Sequence, residues 1–99
     1  MLVHTVLFWL KDDLEAEQRA QFRAGLDRLT TIESAAAVYV GSPAATAERP
    51  VVDTSYDFCL TVIAADVAAH DAYQVDPRHT EFINTFKSQW QKVLIYDAD

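Results

Sequence analysis

The chain has 99 residues, with 15 acidic and 8 basic side chains and a formal net charge of −7. This length predicts a single domain over residues 1–99. The excess of acid argues against proteins that bind nucleic acid or an anionic membrane through clustered lysine and arginine, so we expect neither partner. The single cysteine excludes a framework of intrachain disulfides. Because the apolar segment 2–10 has no basic region before it, it predicts neither a signal peptide nor a membrane span, and we expect a cytoplasmic protein.

The first half of the sequence predicts two strands with a helix between them. Residues 2–10 are dense in valine, leucine and aromatic side chains without helical gaps, as in a strand buried on both faces. Residues 15–29 place apolar side chains at spacings of four and three, which indicates an amphipathic helix. Residues 36–41 form a short β-branched and aromatic segment, which predicts the second strand. Residues 42–54 contain two prolines and no period, so they predict a long loop.

The second half predicts a strand, two helical segments and a last strand. Residues 56–64 alternate apolar and mixed positions, as in a strand. Asp66 is placed to cap a short helix over residues 67–75. The dipeptide that follows, Asp76 and Pro77, repeats the signal of a cap and a first helical residue, and predicts a helix to about residue 86.

Residues 93–96 predict the final strand, which completes the order β-α-β-β-α-β. This order, with the second helical region broken in the middle, is that of the ferredoxin-like fold of the α+β class, with a four-stranded antiparallel sheet.

Such a sheet carries its helices on one face and leaves the other face bare. We assign to the helix-covered face His4, Val6, Phe8, Leu60 and Val62. The bare face then carries six large apolar side chains, namely Val3, Leu7, Trp9, Ile63, Leu94 and Tyr96. Leaving them in water would forgo roughly 1.5 to 3 kcal/mol each, about 9 to 18 kcal/mol together. Since the net stability of a domain is about 5 to 15 kcal/mol, we expect a second copy to cover this face and form a homodimeric barrel.

Four separated motifs resemble those of a known family. They are VHTVLFWLK at the start, RPVVDTSYD before the third strand, AYQVDPRHTEF across the helix break and WQKVLIYD at the end. In this order, over residues 3–97, they resemble the stress-responsive A/B barrel (Dabb) family. The resemblance implies a homodimeric α+β barrel of ferredoxin-like protomers. Most members look like proteins without an assigned reaction, although one plant branch includes a polyketide cyclase that closes a ring by aldol condensation.

The cyclase branch also implies candidate site residues. In that branch a tyrosine and a histidine around the helix break perform acid–base chemistry, and a further histidine on the first strand lies in the pocket. The matching positions here are Tyr73, His79 and His4. The sequence departs from the branch at Asp76, where the cyclase pattern has a histidine, and at Leu26, where it has a tyrosine.

The position of His79 supports acid–base chemistry without the family. It is the third residue of its predicted helix, where free N–H groups and the helix dipole lower the pKa of an imidazole, so we expect it to be neutral near pH 7. A neutral imidazole beside a phenol can remove a proton next to a carbonyl and return one to the developing alkoxide. His79 shares its helix stripe with Ile83 and Phe86, so we expect it to point into a pocket. The predicted pocket residues are Val6, Phe8, Phe22, Leu26, Leu60, Val62, Phe82, Trp90, Val93 and Ile95.

Structural roles compete with catalysis at each candidate. His79 is equally typical of a core or capping histidine whose ring is bonded to backbone or to Asp76. His4 fits a buried histidine bonded to a neighbour, and Tyr73 fits a core aromatic residue with its hydroxyl at the surface.

The remaining polar residues predict no further site. His70 and Asp71 are interpreted as a solvated helix face, and Asp53 and Asp57 as turn and edge residues. Cys59 is interpreted as a small apolar residue. Because the sequence has none of the common nucleotide, zinc or hydrolase motifs, we expect neither a metal nor a cofactor.

Two functions follow from these observations. The first is acid–base catalysis by His79 with Tyr73, assisted by His4, on a small aromatic or polyketide-like carbonyl compound. The alternative is a non-catalytic stress-responsive protein whose pocket binds a small apolar or aromatic ligand.

Overall fold

The strands and helices follow one another in the order that the sequence predicts. The computed structural model describes residues 1–99 and contains four strands, three α-helices and two short 3-10 turns. The strands are β1 (Leu2–Leu10), β2 (Ala37–Gly41), β3 (Phe58–Ala64) and β4 (Trp90–Ala98), and the helices are α1 (Ala16–Arg28), α2 (Val67–Gln74) and α3 (Pro77–Phe86). The 3-10 turns, Leu29–Thr31 and Lys87–Gln89, extend the ends of α1 and α3. None of the helices combines the length and the apolar character needed to cross a bilayer.

The four strands form one antiparallel sheet in the order β2-β3-β1-β4. This is the ferredoxin-like arrangement, and the predicted fold class is confirmed. Strand β4 is longer than the predicted residues 93–96, because β1 offers it a partner from His4, opposite Asp97, to Leu10, opposite Trp90. The longer strand brings Asp97 beside His4.

The register places the predicted residues on the two faces of the sheet. His4 pairs with Val62, and Val6 with Leu60, on the face that the helices cover, and all four are buried. On the opposite face, Leu7 pairs with Leu94 and is only half-buried, and Tyr96 is 61% exposed.

The core between α1, α3 and the sheet is built from aromatic rings, most of them in edge-to-face contact, which we call the aromatic core: Phe8, Phe22, Phe82, Phe86 and Trp90. The ring of Phe22 has its centroid 5.3 to 5.5 Å from the rings of Phe8, Phe82 and Phe86. Helix α1 reaches this close because Gly25 faces Phe86, where any Cβ would collide with the ring. The absence of a side chain at Gly25 therefore sets the distance between α1 and α3.

The break between α2 and α3 is set by two caps. The carboxylate of Asp66 accepts the N–H of Ala69 at 2.8 Å, and that of Asp76 accepts the N–H of Arg78 at 2.8 Å. Pro77 follows Asp76 as the first residue of α3, where its missing N–H has no cost. The predicted caps are confirmed, and the change of direction at this point turns the start of α3 back toward the end of α2.

Candidate functional site

An apolar cavity of about 140 Å³ lies between the sheet and the α2–α3 region. Nine of its twelve lining residues are apolar. The lining residues are His4, Val6, Phe8, Leu29, Leu60, Gln74, His79, Phe82, Ile83, Trp90, Val93 and Ile95. Its outer margin is formed by Val93 and Ile95, which are 38% and 50% exposed. A cavity of about 150 Å³ holds one benzene molecule, so this one accommodates a single aromatic ring.

Three residues of the predicted pocket do not line this cavity, and three that line it, Leu29, Gln74 and Ile83, were absent from that prediction. Phe22, Leu26 and Val62 do not line it, because each is fully enclosed in the core between α1 and the sheet. The apolar pattern of these residues suggested a pocket, but their side chains pack against other core side chains and leave no space for a ligand. A larger hollow of about 420 Å³ lies within the loop of residues 42–54. Its walls are mostly exposed side chains of that loop, so it lacks the enclosed apolar surface of a ligand site.

His79 lies on the cavity wall, half-buried, in the first turn of α3. Its backbone N–H donates to the carbonyl of Asp76 at 2.9 Å, which fixes the turn that aims the ring inward. Burial lowers the pKa of His79, and repulsion from the protonated form of nearby His4 lowers it further, whereas a hydrogen bond with the backbone of Gln74 and the carboxylate of Asp76 oppose both. The imidazole is therefore neutral near pH 7 with a free lone pair. The helix terminus, from which the sequence analysis expected this pKa shift, is not its main cause.

Tyr73 lies against His79, with ring centroids 5.1 Å apart, although six residues separate them in sequence. The bend at Asp76 and Pro77 makes this contact possible. Tyr73 is fully buried and does not line the cavity, and its hydroxyl has no hydrogen-bond partner in the protein. The structural alternative for Tyr73, a core aromatic residue with its hydroxyl at the surface, therefore matches the buried ring but not the buried hydroxyl. Burial and the charge of Asp76 raise the pKa of Tyr73, so the phenol stays protonated.

His4 lines the inner end of the cavity and is only 3% exposed. Its Nδ1 lies 2.5 Å from Oδ1 of Asp97 on the neighbouring strand. Its Nε2 lies 3.4 Å from Nε2 of Gln74. The position of His4 thus matches the bonded, buried histidine that the sequence analysis weighed against a catalytic one.

Three residues beside His4 were not predicted from the sequence as part of the site: His70, Gln74 and Asp97. His70, predicted to be solvated, has a side chain only 15% exposed, and its ring centroid lies 4.9 Å from that of His4. The spacing of His70, Tyr73 and Gln74 puts them on one face of α2, and this signal could have found them. Asp97 lay beyond the predicted end of the last strand. We call His4, His70, Gln74 and Asp97 the histidine cluster.

The other acidic residues hold loops and helix ends. The carboxylate of Asp57 accepts the N–H of Leu10 at 2.7 Å and an N–H of Arg19 at 2.9 Å, which joins β3 to the end of β1 and to α1. Asp53 accepts both the N–H and the hydroxyl of Ser55. These contacts are those of turn and edge residues.

Comparisons with known proteins identify the family and the fold. A family model described as "Stress responsive A/B Barrel Domain" matches residues 2–99. No curated protein matches the sequence. A Dabb family protein with a ferredoxin-like fold from Mesorhizobium loti is 24% identical, with 99% of this chain and 94% of that one covered and a TM-score of 0.79.

Two further structures share the fold. A dimeric ferredoxin-like protein from Thermobifida fusca is 18% identical, with 98% of this chain and 88% of that one covered and a TM-score of 0.79. A hydroxynitrile lyase from Passiflora edulis is 19% identical, with 98% of this chain and 90% of that one covered and a TM-score of 0.77.

Proposed function

The chain belongs to the stress-responsive A/B barrel (Dabb) family, and from this premise we propose that its cavity binds a small aromatic carbonyl compound on which His79 acts as a general base. The observation that carries the proposal is a half-buried imidazole with a lowered pKa on the wall of an apolar cavity. An enzyme needs this combination to remove a proton at neutral pH, because the base must be unprotonated and the charge that develops must be shielded from water.

The cavity volume narrows the class of substrate. At about 140 Å³ it matches one aromatic ring rather than an extended chain. We therefore favour a single-ring ketone or aldehyde over the polyketide-like compound that the cyclase branch implies.

The proposed reaction moves one proton. The lone pair of His79 takes a proton from the carbon next to the carbonyl and the C–H bond breaks. Its electron pair forms a C=C bond, and the π pair of the carbonyl moves to oxygen as the enolate forms. The imidazolium then returns the proton to carbon. When the enolate instead forms a C–C bond to a second carbonyl, whose π pair moves to its oxygen, the imidazolium gives the proton to the resulting alkoxide. The protonated phenol of Tyr73 packs against the ring of His79 but does not line the cavity, so it holds the base in position and does not contact the substrate. His4 assists by closing the inner end of the cavity, where Asp97 fixes its ring. One neighbour of the same fold is a hydroxynitrile lyase, so the fold supports catalysis in that protein.

Proton exchange tests this proposal without knowledge of the natural substrate. Acetophenone has one aromatic ring and exchangeable protons next to its carbonyl, and their replacement by deuterium in D₂O is followed by proton NMR. We expect the wild-type protein to accelerate the exchange, and His79→Ala to lose about 10² to 10⁴ of the acceleration. The matched control is His70→Ala, which removes a histidine that does not line the cavity and should keep the wild-type rate. Equal rates with wild type and His79→Ala would refute His79 as the base.

A binding protein without catalysis is the second candidate, and the largely apolar lining of the cavity favours it. In that case acetophenone quenches the fluorescence of Trp90, which lines the cavity, in wild type and in His79→Ala alike, and no exchange exceeds that in buffer.

We also propose that the bare face of the sheet pairs with that of a second copy. Tyr39 and Tyr96 on this face are 65% and 61% exposed, and the Thermobifida fusca neighbour is described as dimeric. Light scattering should give twice the chain mass of 11.1 kDa, and Leu94→Asp at the centre of the face should give the monomer. A monomeric wild type at micromolar concentration would refute the dimer.

The cytoplasmic location stays a prediction.

A further inference from the structure

Two imidazoles of the histidine cluster are held by carboxylates at their Nδ1 atoms. His4 Nδ1 lies 2.5 Å from Oδ1 of Asp97, and His70 Nδ1 lies 3.1 Å from Oδ1 of Asp71. Because an ionised carboxylate only accepts hydrogen bonds, each Nδ1 carries the proton of its ring. In this tautomer the lone pair of each ring is on Nε2.

The two Nε2 atoms converge on one point. They lie 3.4 Å (His4) and 3.2 Å (His70) from the amide Nε2 of Gln74, which sits between them. Without an ion, this amide donates one hydrogen to each ring. The five side chains Asp97, His4, Gln74, His70 and Asp71 then form a continuous chain of hydrogen bonds.

The same geometry is that of a metal chelate. With Zn–N distances of about 2.0 to 2.1 Å, two nitrogen ligands of a tetrahedral ion lie roughly 3.3 Å apart. The amide of Gln74 is already at that range from both rings, and a half-turn of the amide would present its oxygen as a third ligand. Ligand atoms of His4, His70 and Asp97 all lie within 4.8 Å of one another. A carboxylate behind each ligating histidine is the usual second layer of zinc sites, where it fixes the tautomer and makes the ring more basic.

We propose that His4, His70 and Gln74 bind a divalent transition metal ion of the zinc type, with Asp97 and Asp71 orienting the two imidazoles. Imidazole ligands favour Zn²⁺, Co²⁺ and Ni²⁺ over Mg²⁺ and Ca²⁺, which take oxygen ligands. Asp97 is 47% exposed and His70 15%, which gives the ion a path from solvent. His4 and Gln74 also line the cavity, so the ion would sit at its inner end with a coordination position left for water or a ligand oxygen.

This inference goes beyond the acid–base function, which needs no metal. The residues differ as well, since His70 serves only the metal site and His79 only the proposed reaction. The two proposals therefore fail separately.

Metal titration of untagged protein tests the site. Protein freed of metal with a chelator is titrated with Co²⁺, followed by its visible absorption, and Zn²⁺ binding is measured by calorimetry. We expect one equivalent per protomer in wild type, and binding at least about tenfold weaker in His70→Ala. His79→Ala is the matched control, because it removes the neighbouring cavity histidine outside the cluster, and it should bind like wild type.

A second variant keeps the test decisive. His4 is buried, so its removal risks the fold, whereas Asp71 is 68% exposed. Asp71→Asn keeps the shape but removes the charge behind His70, and we expect metal affinity to fall by about 10- to 100-fold. No uptake by wild type, or the same uptake by wild type and His70→Ala, would overturn the proposal and leave the cluster as a hydrogen-bonded chain.

Discussion

The helix-covered face of the sheet has two unlike ends. Under α1, the aromatic core packs ring against ring, and Phe22 and Leu26 are completely enclosed. Under α2 and the start of α3, the same face carries His4 and a cavity, and the buried hydroxyl of Tyr73 has no partner. An unpaired buried hydroxyl costs about 1 to 3 kcal/mol. The packing under α1 therefore stabilises the fold. The region under α2 and the start of α3 costs stability, because it buries polar groups around a small cavity.

The largest expected effect comes from the aromatic core. Phe22→Ala removes a ring that contacts four other aromatic rings in the core, and it leaves a cavity in their place of contact. We expect the free energy of unfolding to fall by about 3 to 5 kcal/mol, measured by urea denaturation. Val67→Ala, at a position 56% exposed, is the control and should change it by less than about 0.5 kcal/mol. A loss of stability as small as that of Val67→Ala would show that the region under α1 is not the tightly packed part of the molecule.

Gly25→Ala probes the same end by adding volume. The new methyl group collides with the ring of Phe86, which is held in place by Phe22 and Phe82. Overpacking of this kind costs about 1 to 3 kcal/mol, and the better helix preference of alanine returns about 1 kcal/mol. We expect a net loss of about 0 to 2 kcal/mol by urea denaturation. A net gain would show that the core yields at this point and would contradict the comparison.

Tyr73→Phe probes the other end and should act in the opposite direction. It removes only the unpaired hydroxyl and keeps the packed ring. We expect a gain of about 1 kcal/mol in the free energy of unfolding, because the buried donor no longer lacks a partner. The proton exchange of acetophenone should be unchanged in the same variant, because Tyr73 does not line the cavity. A loss of stability would show that the hydroxyl has a partner, such as a bound water molecule.

The smallest effect is the pH dependence of stability. The pKa of His79 in the folded protein lies below its ordinary value of 6.5, so on acidification the unfolded chain binds the proton first. The contribution of His79 is present above pH 6.5 and is lost as the pH falls through the folded-state pKa. The melting temperature of wild type should therefore drop more between about pH 7 and pH 5 than that of His79→Ala. An equal drop in both proteins would contradict a lowered pKa at His79.

Much of the fold could be predicted because it depends on local signals. The two Asp caps and Pro77 define the helix break, and the two-residue period of a strand defines which side chains of β1 and β3 share a face of the sheet. The family resemblance drawn from the four motifs is confirmed by a match over residues 2–99. The sequence placed the end of β4 at residue 96, before its observed end at Ala98. The length of this strand depends on its pairing partner β1 and not on the sequence of β4 itself.

The candidate site was harder to predict, because its parts meet only in the folded chain. His70, beside Asp71 on a short helix, was interpreted as solvated, but the docking of α2 on β1 brings it to His4. The stripe of Phe22 and Leu26 has the same period whether it lines a pocket or fills a core, so periodicity could not distinguish the two. The absence of a metal motif likewise says little about ligands that are 66 residues apart in sequence, as His4 and His70 are.

The central claim is that His79 is a neutral base beside a cavity that takes one aromatic ring. The most direct test is an NMR titration of histidine side chains labelled with ¹³C, with and without acetophenone. With three histidines in the chain, the His79→Ala spectrum assigns the signal. We predict that His79 titrates below its ordinary pKa of 6.5 and that its signal shifts saturably with acetophenone. A pKa at or above that value, with no shift on addition of the ketone, would contradict the account.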